Sequence, residues 1–521
     1  MSFLLFCFYP LFNFAKILES LARRIPLPSL HVQPRLEFIP QTFQPWVLRL
    51  LHLLLPFALR FRLRRWLPAG INQVEVIYPE RLATAYHQFQ QGKIRLLIAA
   101  RHPEVDDPLS YLFVLSRTIP QVAQQRGIPL QQPIHAHFLY DRGMTIWAGN
   151  WLGWFFARIG GIPIHRGKSL DLKGLKAARE VLLNGQFPLA VAPEGATNGH
   201  SHIVSPLEPG VAQLGFWCVE DLVKADRPEQ VWILPIGIQY HYASPPWRKL
   251  DDVISQLEQD TGLSQLPFSI PALNSPEQQI YQRLLRLGEH LIAQMEKFYQ
   301  QFYHLSIALE TNQDCKLDKS HQVDDHQHQQ AHLITRLQTL LDIALTIAEQ
   351  HFGLPSEGNI IQRCRRLEEA GWKIIYREDI TNLQTLDPFS RGLADWAATE
   401  AQLALRHMRL VESFVAVTQP YLQTQLTVEQ LAELTLILFD FVARIKGDKI
   451  PQRPQLGWRQ TQVTIGQPIS VSDRWPLYNR DRASAKQAVQ DLTADLYHAL
   501  AQGIPSYTTP QAQEAHPPKP L

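Results

Sequence analysis

Between about residues 71 and 250 the chain alternates short continuous apolar runs with longer amphipathic stretches. Ile94 to Ala100 (IRLLIAA), His135 to Tyr140, Phe187 to Ala192 and Val231 to Tyr240 have the length and composition of strands buried on both faces. Between them, Met144 to Ile159 predicts an apolar, tryptophan-rich helix. Ser169 to Asn184 predicts an amphipathic helix with Ser169 as N-cap and Gly185 at the C-terminal stop. This alternation predicts an α/β core with a mixed, mostly parallel sheet.

The texture then changes. Long helical patterns run over Pro276–Tyr303, Ala331–His351, Pro388–Val417 and Thr427–Lys446, predicting a second, mainly helical region. The polar stretch Thr311 to Gln330, with His321, His326 and His328, and His332 just beyond, reads as a solvated linker rather than a metal site, because nothing in it fixes ligand geometry. Strand texture returns at Gln462–Ile469, followed by a helix over Ala483–Ala501. The expected division is therefore 1–70, a basic apolar N-terminal segment; 71–250, the α/β domain; 251–455, the helical region; 456–503, a strand and helix that complete the α/β domain; and 504–521, a disordered proline-rich tail.

A hydrophobic fraction of 45% with 12 Trp, 24 Phe and 15 Tyr excludes wholesale disorder over the 521 residues. Net charge is only +2, yet residues 1–70 carry nine Lys/Arg against Glu19 and Glu37, so the remainder is net negative. No run of about 18 uncharged apolar residues is present; the nearest are Ser2–Ala15, which lacks the basic flank of a signal peptide, and Trp46–Leu59, interrupted by Arg49, His52 and Pro56. The N-terminal segment reads either as an interfacial membrane element with snorkelling arginines or as a hairpin of core helices. The first reading places the chain on a membrane at its cytoplasmic face. Cys7, Cys218, Cys315 and Cys364 have neither metal-ligand nor disulfide-framework spacing, which fits a reducing compartment.

Three segments carry candidate chemistry. Arg101-His102-Pro103-Glu104-Val105-Asp106-Asp107 directly follows the strand Ile94–Ala100, and strand C-termini are where α/β sheets bind ligands. A helical turn starting after His102 brings Asp107 back to the imidazole, giving either a base oriented by a carboxylate or a local helix-capping pair. Gly160 to Lys168 follows the apolar helix; Arg166 and Lys168 there form an anion site or a turn with solvated charges. Val191 to Asn198 again follows a buried strand, and Glu194 at its end has no use in an apolar core.

In order and spacing these segments resemble the glycerophospholipid acyltransferase superfamily, including the 1-acylglycerol-3-phosphate acyltransferases. The family's block of His, four residues and Asp is matched by His102 and Asp107. Its Gly-x-x-hydrophobic-x-Arg block is matched by Gly161 through Arg166, its Pro-Glu-Gly block by Pro193-Glu194-Gly195, and its hydrophobic strand with a central Pro by Ile233 to Gly237. Gly210-Val211-Ala212 and Ile465 to Ile469 resemble the helix between the last two blocks and a late strand of such domains. The resemblance covers about residues 90–245 and leaves the helical region outside.

The resemblance implies an O-acyltransferase of phospholipid biosynthesis, with His102 as general base oriented by Asp107. Acyl-CoA or acyl-carrier protein would be co-substrate, with no metal or bound cofactor, and membrane lipids would be partners. Arg166 and Lys168 would hold an acceptor phosphate, and Gly161, Glu194 and Gly195 would shape the pocket. Where the family has Arg in its third block this chain has Thr197, which removes one expected phosphate contact; Arg101 is the candidate substitute, and an acceptor without phosphate, or with a headgroup, is the alternative. A non-catalytic lipid-binding scaffold is the remaining reading. Nucleotide loops and Gly-x-Ser-x-Gly are absent, and basic charge set among leucines and phenylalanines makes nucleic acid a poor partner.

Overall fold

The computed structural model describes residues 31–62, 70–165, 171–195, 197, 199–263, 275–304, 322–380, 382–414, 426–448 and 450–504. Ser2–Ala15, Arg166, Lys168, Ser169, His321 and the tail beyond residue 504 lie outside them. The chain forms two compact units, one of residues 1–36 with 345–409, the other of 37–344 with 410–521. The helical region is thus divided between the units rather than standing apart as 251–455.

The larger unit is built on one sheet. Its strands are β1 (Ile71–Ile77), β2 (Ile94–Ala100), β3 (His137–Asp141), β4 (Gly161–Ile164), β5 (Leu189–Val191), β6 (Gln230–Tyr242), β7 (Arg459–Ile465) and β8 (Ile469–Ser470). The order is β1-β7-β6-β2-β5-β3-β4, with β8 also paired to β6. All pairs are parallel except β6 with β7 and β6 with β8, so the sheet is mixed and mostly parallel. The late strand β7 separates β1 from β6, joining the C-terminal part of the chain to the sheet.

The sequence of β2 explains its central place. All seven residues are buried, and Leu96, Ile98 and Ala100 pack on one face while Leu97 and Ala99 pack on the other, the period-two consequence of a strand covered on both sides. One face is covered by α1 (Pro45–Arg60), α2 (Pro79–Gln90) and a helical run of α3 (Asp107–Phe113), a π turn at Val114–Thr118 and α4 (Ile119–Gln125). The other is covered by α7 (Leu172–Asn184), α8 (Gly210–Lys224) and α16 (Arg482–Gln502), with α15 (Trp475–Tyr478) beside them. Arg95, buried in β2, donates to the carbonyls of Leu182 (2.7 Å) and Gly185 (2.9 Å), satisfying the C-terminal end of α7 with a cation.

Several boundaries differ from the sequence expectation. The helix expected over Met144–Ile159 is two, α5 (Met144–Ala148) and α6 (Asn150–Arg158), because Gly149 takes φ +99° between them. The described part of the next helix, α7, starts at Leu172 after Asp171, whose carboxylate is held by Arg142. The strand expected at Gln462–Ile469 begins earlier, at Arg459, and stops at Ile465 before a separate β8, since Pro468 interrupts the ladder.

The remaining helices of the larger unit are α9 (Trp247–Asp260), α10 (Pro276–Tyr303) capped by Ser275, the first part of α11 (Gln322–Phe352), the end of α13 (Pro388–Glu412), and α14 (Val428–Ile445), which opens with a Thr427/Gln430 capping box. Helix α11 starts inside the stretch read as a linker, where Gln, His and Asp tolerate helix without giving an apolar period. In the smaller unit α12 (Ile360–Ile375) is capped by Asn359 and Gln362, and Arg363 binds the fully buried Glu349 through Nε (2.8 Å) and Nη2 (2.7 Å). Gln33–Pro34 pairs in parallel with Tyr376–Arg377 there.

The double-sided burial of β2 gives a direct expectation: Leu97→Ala should lower the free energy of unfolding by about 2–5 kcal/mol, read by chemical denaturation, because both the lost transfer energy and the residual cavity act at a fully closed position.

Candidate functional site

The site forms where β2 ends. Arg101 follows the strand and His102 stands at its C-terminal edge; Asp107 opens α3 five residues later, so the intervening turn folds the carboxylate back onto the imidazole. His102 Nδ1 lies 3.2 Å from Asp107 Oδ2. The same oxygen accepts the backbone N–H of Glu104 at 2.8 Å, and Oδ1 accepts the Tyr240 hydroxyl from the neighbouring β6. Asp107 is therefore fully buried yet held by three donors, while the His102 side chain keeps 28% of its exposure. With Nδ1 turned to the carboxylate, Nε2 is the nitrogen left for a reacting proton.

The electrostatics follow from this burial. Desolvation pulls the His102 pKa down, but the hydrogen bond and charge of Asp107, with Glu194 and Asp106 behind it, leave it above its ordinary value. Burial raises Asp107, against the pull of His102 and Tyr240. Glu104 is pushed by burial up to about 7 despite Arg453 and Arg459. Asp106 is paired with Arg459 at 2.7 Å.

Glu194, at the turn after β5, sits under the same edge. Its Oε2 accepts the His102 backbone N–H at 3.2 Å, and its Oε1 accepts Ser205 N (3.0 Å) and Arg101 Nη2 (3.3 Å). Arg101 is fully buried and donates further to the carbonyls of Ser201 (2.7 Å), His200 (3.2 Å) and Ile203. The expectation that Arg101 contacts an acceptor phosphate is not met: its guanidinium is directed into the loop 200–203 and not to solvent. Tyr111 donates from α3 to the Arg101 carbonyl at 2.6 Å, closing the ring of contacts.

The other expected residues divide. Gly195 makes the turn after Glu194 at φ +71°, and Thr197 is exposed beyond it. Gly161 is buried in β4, three strands along the sheet from β2, where an added Cβ would come within 3.0 Å of the Phe138 ring and the Phe156 carbonyl; it serves close packing. Arg166 and Lys168 lie outside the described residues. No group of three potential metal ligands occurs among the described residues.

Several residues of the site were not read from the sequence. The chief one is Glu433 on α14, which accepts Ser201 N (2.8 Å) and Ser201 Oγ (2.9 Å), lies 3.2 Å from His200 Nδ1, and stands 3.6 Å from His202 Nδ1. Burial raises its pKa, but His200 and His202 outweigh that and hold it far below the usual carboxylate range. Arg453 binds Asp440 on the same helix at 3.0 Å and Glu104 at 3.4 Å. An acid on the apolar side of a helix was the available signal for Glu433; Tyr240 and Arg453 offered none without the fold.

Neither a protein-family model, nor a curated protein, nor a solved structure matches this chain.

Glu433→Gln should lower stability by about 1.5–3 kcal/mol at neutral pH, the range for hydrogen bonds to a charged group. The folded-state pKa of Glu433 is depressed, so its contribution is present above the unfolded value of about 4.3 and is lost as pH falls through the lower folded one; wild type and variant should therefore converge in acid denaturation.

Proposed function

We propose that the protein is an O-acyltransferase that moves a fatty acyl group from a thioester of coenzyme A or acyl-carrier protein to a hydroxyl of a glycerol-phosphate lipid acceptor resembling lysophosphatidic acid. The observation that carries the reading is the imidazole of His102 at the C-terminal end of a central parallel strand, its Nδ1 on a buried Asp107 that two further donors hold in place. Such a pair is suited to take a proton from a hydroxyl. The order of blocks around it, from His102 to Gly237, supports the same class.

In the proposed reaction His102 Nε2 takes the acceptor's hydroxyl proton as the oxygen adds to the thioester carbonyl. The tetrahedral species collapses by breaking the carbon–sulfur bond, and the thiolate leaves as a thiol with the proton returned by His102. The products are one ester and one free thiol, with no acyl-enzyme. Arg166 and Lys168 are the cations assigned to an acceptor phosphate.

A membrane setting is supported by surface chemistry. On α1, Trp46, Leu50, Leu53, Leu54 and Phe57 are all about half exposed or more, and on α6 Trp151 and Trp154 are 44% and 46% exposed. Backbone bonds from Thr42 to Ala157 (2.9 Å) and from Gln44 to Arg158 (2.8 Å) tie the start of α1 to the end of α6. Exposed aromatic and leucine side chains beside Arg60 and Arg158 suit an interfacial surface. No helix of the described residues is long and apolar enough to cross a membrane.

The engagement of Arg101 within the protein, together with Thr197 in place of the family's Arg, favours a second reading in which the acceptor hydroxyl belongs to a lipid without a phosphate monoester. Mass spectrometry of the full chain with lipid micelles, a thioester donor and a set of acceptors separates the two. Product from lysophosphatidic acid, reduced about 10²–10⁴-fold in His102→Ala, is the expected result; product only from neutral or headgrouped acceptors selects the second reading, and His102-independent product or none at all overturns both.

The pH profile gives an independent check. A base must be neutral to act, so kcat/KM should rise with pH through a pKa above 6.5 and then level. Asp107→Asn removes the main cause of that elevation while burial remains, so the rising limb should move to lower pH as the plateau falls about 10²-fold or more.

A further inference from the structure

Helices α10, α11 and α14, with the end of α13, line an apolar cavity of about 110 Å³ that opens to solvent. Its walls include Leu284, Met295, Leu341, Val411, Ile437 and Phe441, all in the larger unit; among the lining side chains the hydroxyls of Tyr281 and Tyr299 are the polar groups. Close-packed interiors rarely leave voids larger than a water, and a water would need two to four polar partners that these walls lack. The space is several-fold larger than the roughly 10–15 Å³ that a single water needs on the same measure. The walls are fastened beside the cavity, where Arg336 of α11 binds the buried Glu296 of α10 through Nε (2.9 Å) and Nη2 (2.6 Å).

Two further observations bear on the occupant. Gly288 lines the cavity from the interior of the 28-residue helix α10, and a Cβ placed on it would meet no atom within 4 Å. A mid-helix glycine costs about 1 kcal/mol relative to alanine, and here packing gives no reason for it; the space it leaves belongs to the cavity. Ile437 lines the cavity too, and its Cγ1 stands 3.7 Å from the Cβ position of Gly199, whose N–H donates to the Pro103 carbonyl at 3.0 Å, one residue from His102. At the loop that borders the imidazole, Ile437 of the cavity wall and the Arg453 guanidinium (3.2 Å from the same Cβ position) thus lie side by side. An occupant reaching both must be polar at one end and wholly apolar at the other.

We infer that this cavity in the helical region binds an unbranched long fatty acyl chain, with its polar end toward Gly199 and His102. The assignment rests on the acyl-transfer reading for the direction of the chain, but its binding is read without turnover. The probe is palmitate, titrated calorimetrically into the full chain, with octanoate and dodecanoate for comparison. Wild type and Gly288→Ala should bind palmitate alike, each methylene contributing about fourfold in affinity. Gly288→Phe, which fills the space, should weaken binding at least tenfold with its circular dichroism and melting temperature preserved. His102→Ala should bind as wild type.

Palmitate bound equally by Gly288→Phe, or affinity independent of chain length, overturns the inference whatever the transfer assay shows. Lost binding in Gly288→Phe with no transfer by wild type keeps the acyl site and removes the transferase reading. A palmitate bearing a terminal diazirine gives a measurement without a variant: crosslinks within 284–295 or 434–441 are expected, and crosslinks confined elsewhere contradict it. Displacement of palmitate by palmitoyl-CoA assigns the chain to the donor, displacement by lysophosphatidic acid assigns it to the acceptor, and displacement by neither overturns the site.

Discussion

The pair of Arg101 and Glu194, both without solvent exposure, is the constraint on which the site rests. Two charges taken so far from water would be unfavourable alone, because desolvation can exceed their attraction. Here the cost is offset by the surrounding polar groups: Arg101 gives its guanidinium to three carbonyls of the loop 200–203, and Glu194 takes the backbone N–H groups of His102 and Ser205. One buried ion pair thus joins the ends of two adjacent strands to the loop beneath them. His102 is held by its own backbone in that network, and its ring is turned by Asp107 through Nδ1, so Nε2 is presented at the edge.

The same logic extends outward to the helices. Glu433 on α14 receives the other side of the loop through Ser201 and His200, and Arg453 links Asp440 on that helix to Glu104 beside the imidazole. Helix α14 is therefore coupled to the sheet edge by charge and hydrogen bonding through Glu433 and Asp440, while Ile437, one turn after Glu433, and Phe441 line an apolar space along the adjoining stripe. A single helix meets a polar loop and an apolar cavity, which is the arrangement an amphiphilic ligand requires.

Much of this was legible in the sequence because the relevant signals are local. The run IRLLIAA located β2 to the residue, since a strand covered on both faces must be apolar throughout. The helix Pro276–Tyr303 was found at both ends from its period. His102 and Asp107 could be paired because five residues after a strand allow one tight turn. The contacts that lay beyond reach join residues distant in sequence: Tyr240 reaches Asp107 across 133 positions, and Glu433 reaches Ser201 across 232. Arg101 was misjudged for the same reason, as an arginine beside a candidate base looks available until the loop that absorbs it is in place. Gly149 split a helix that apolar content alone made continuous.

The central claim is that a buried carboxylate orients His102 so that Nε2 is the acceptor of the neutral ring, and that Asp107 favours its protonation. Nitrogen-detected NMR of the histidine rings across a pH titration, with His102→Gln to assign the signal, tests it without any substrate. The account predicts an Nδ1–H tautomer at high pH and a titration midpoint above 6.5 that drops in Asp107→Asn. An Nε2–H tautomer, or a midpoint unmoved by Asp107→Asn, would contradict it.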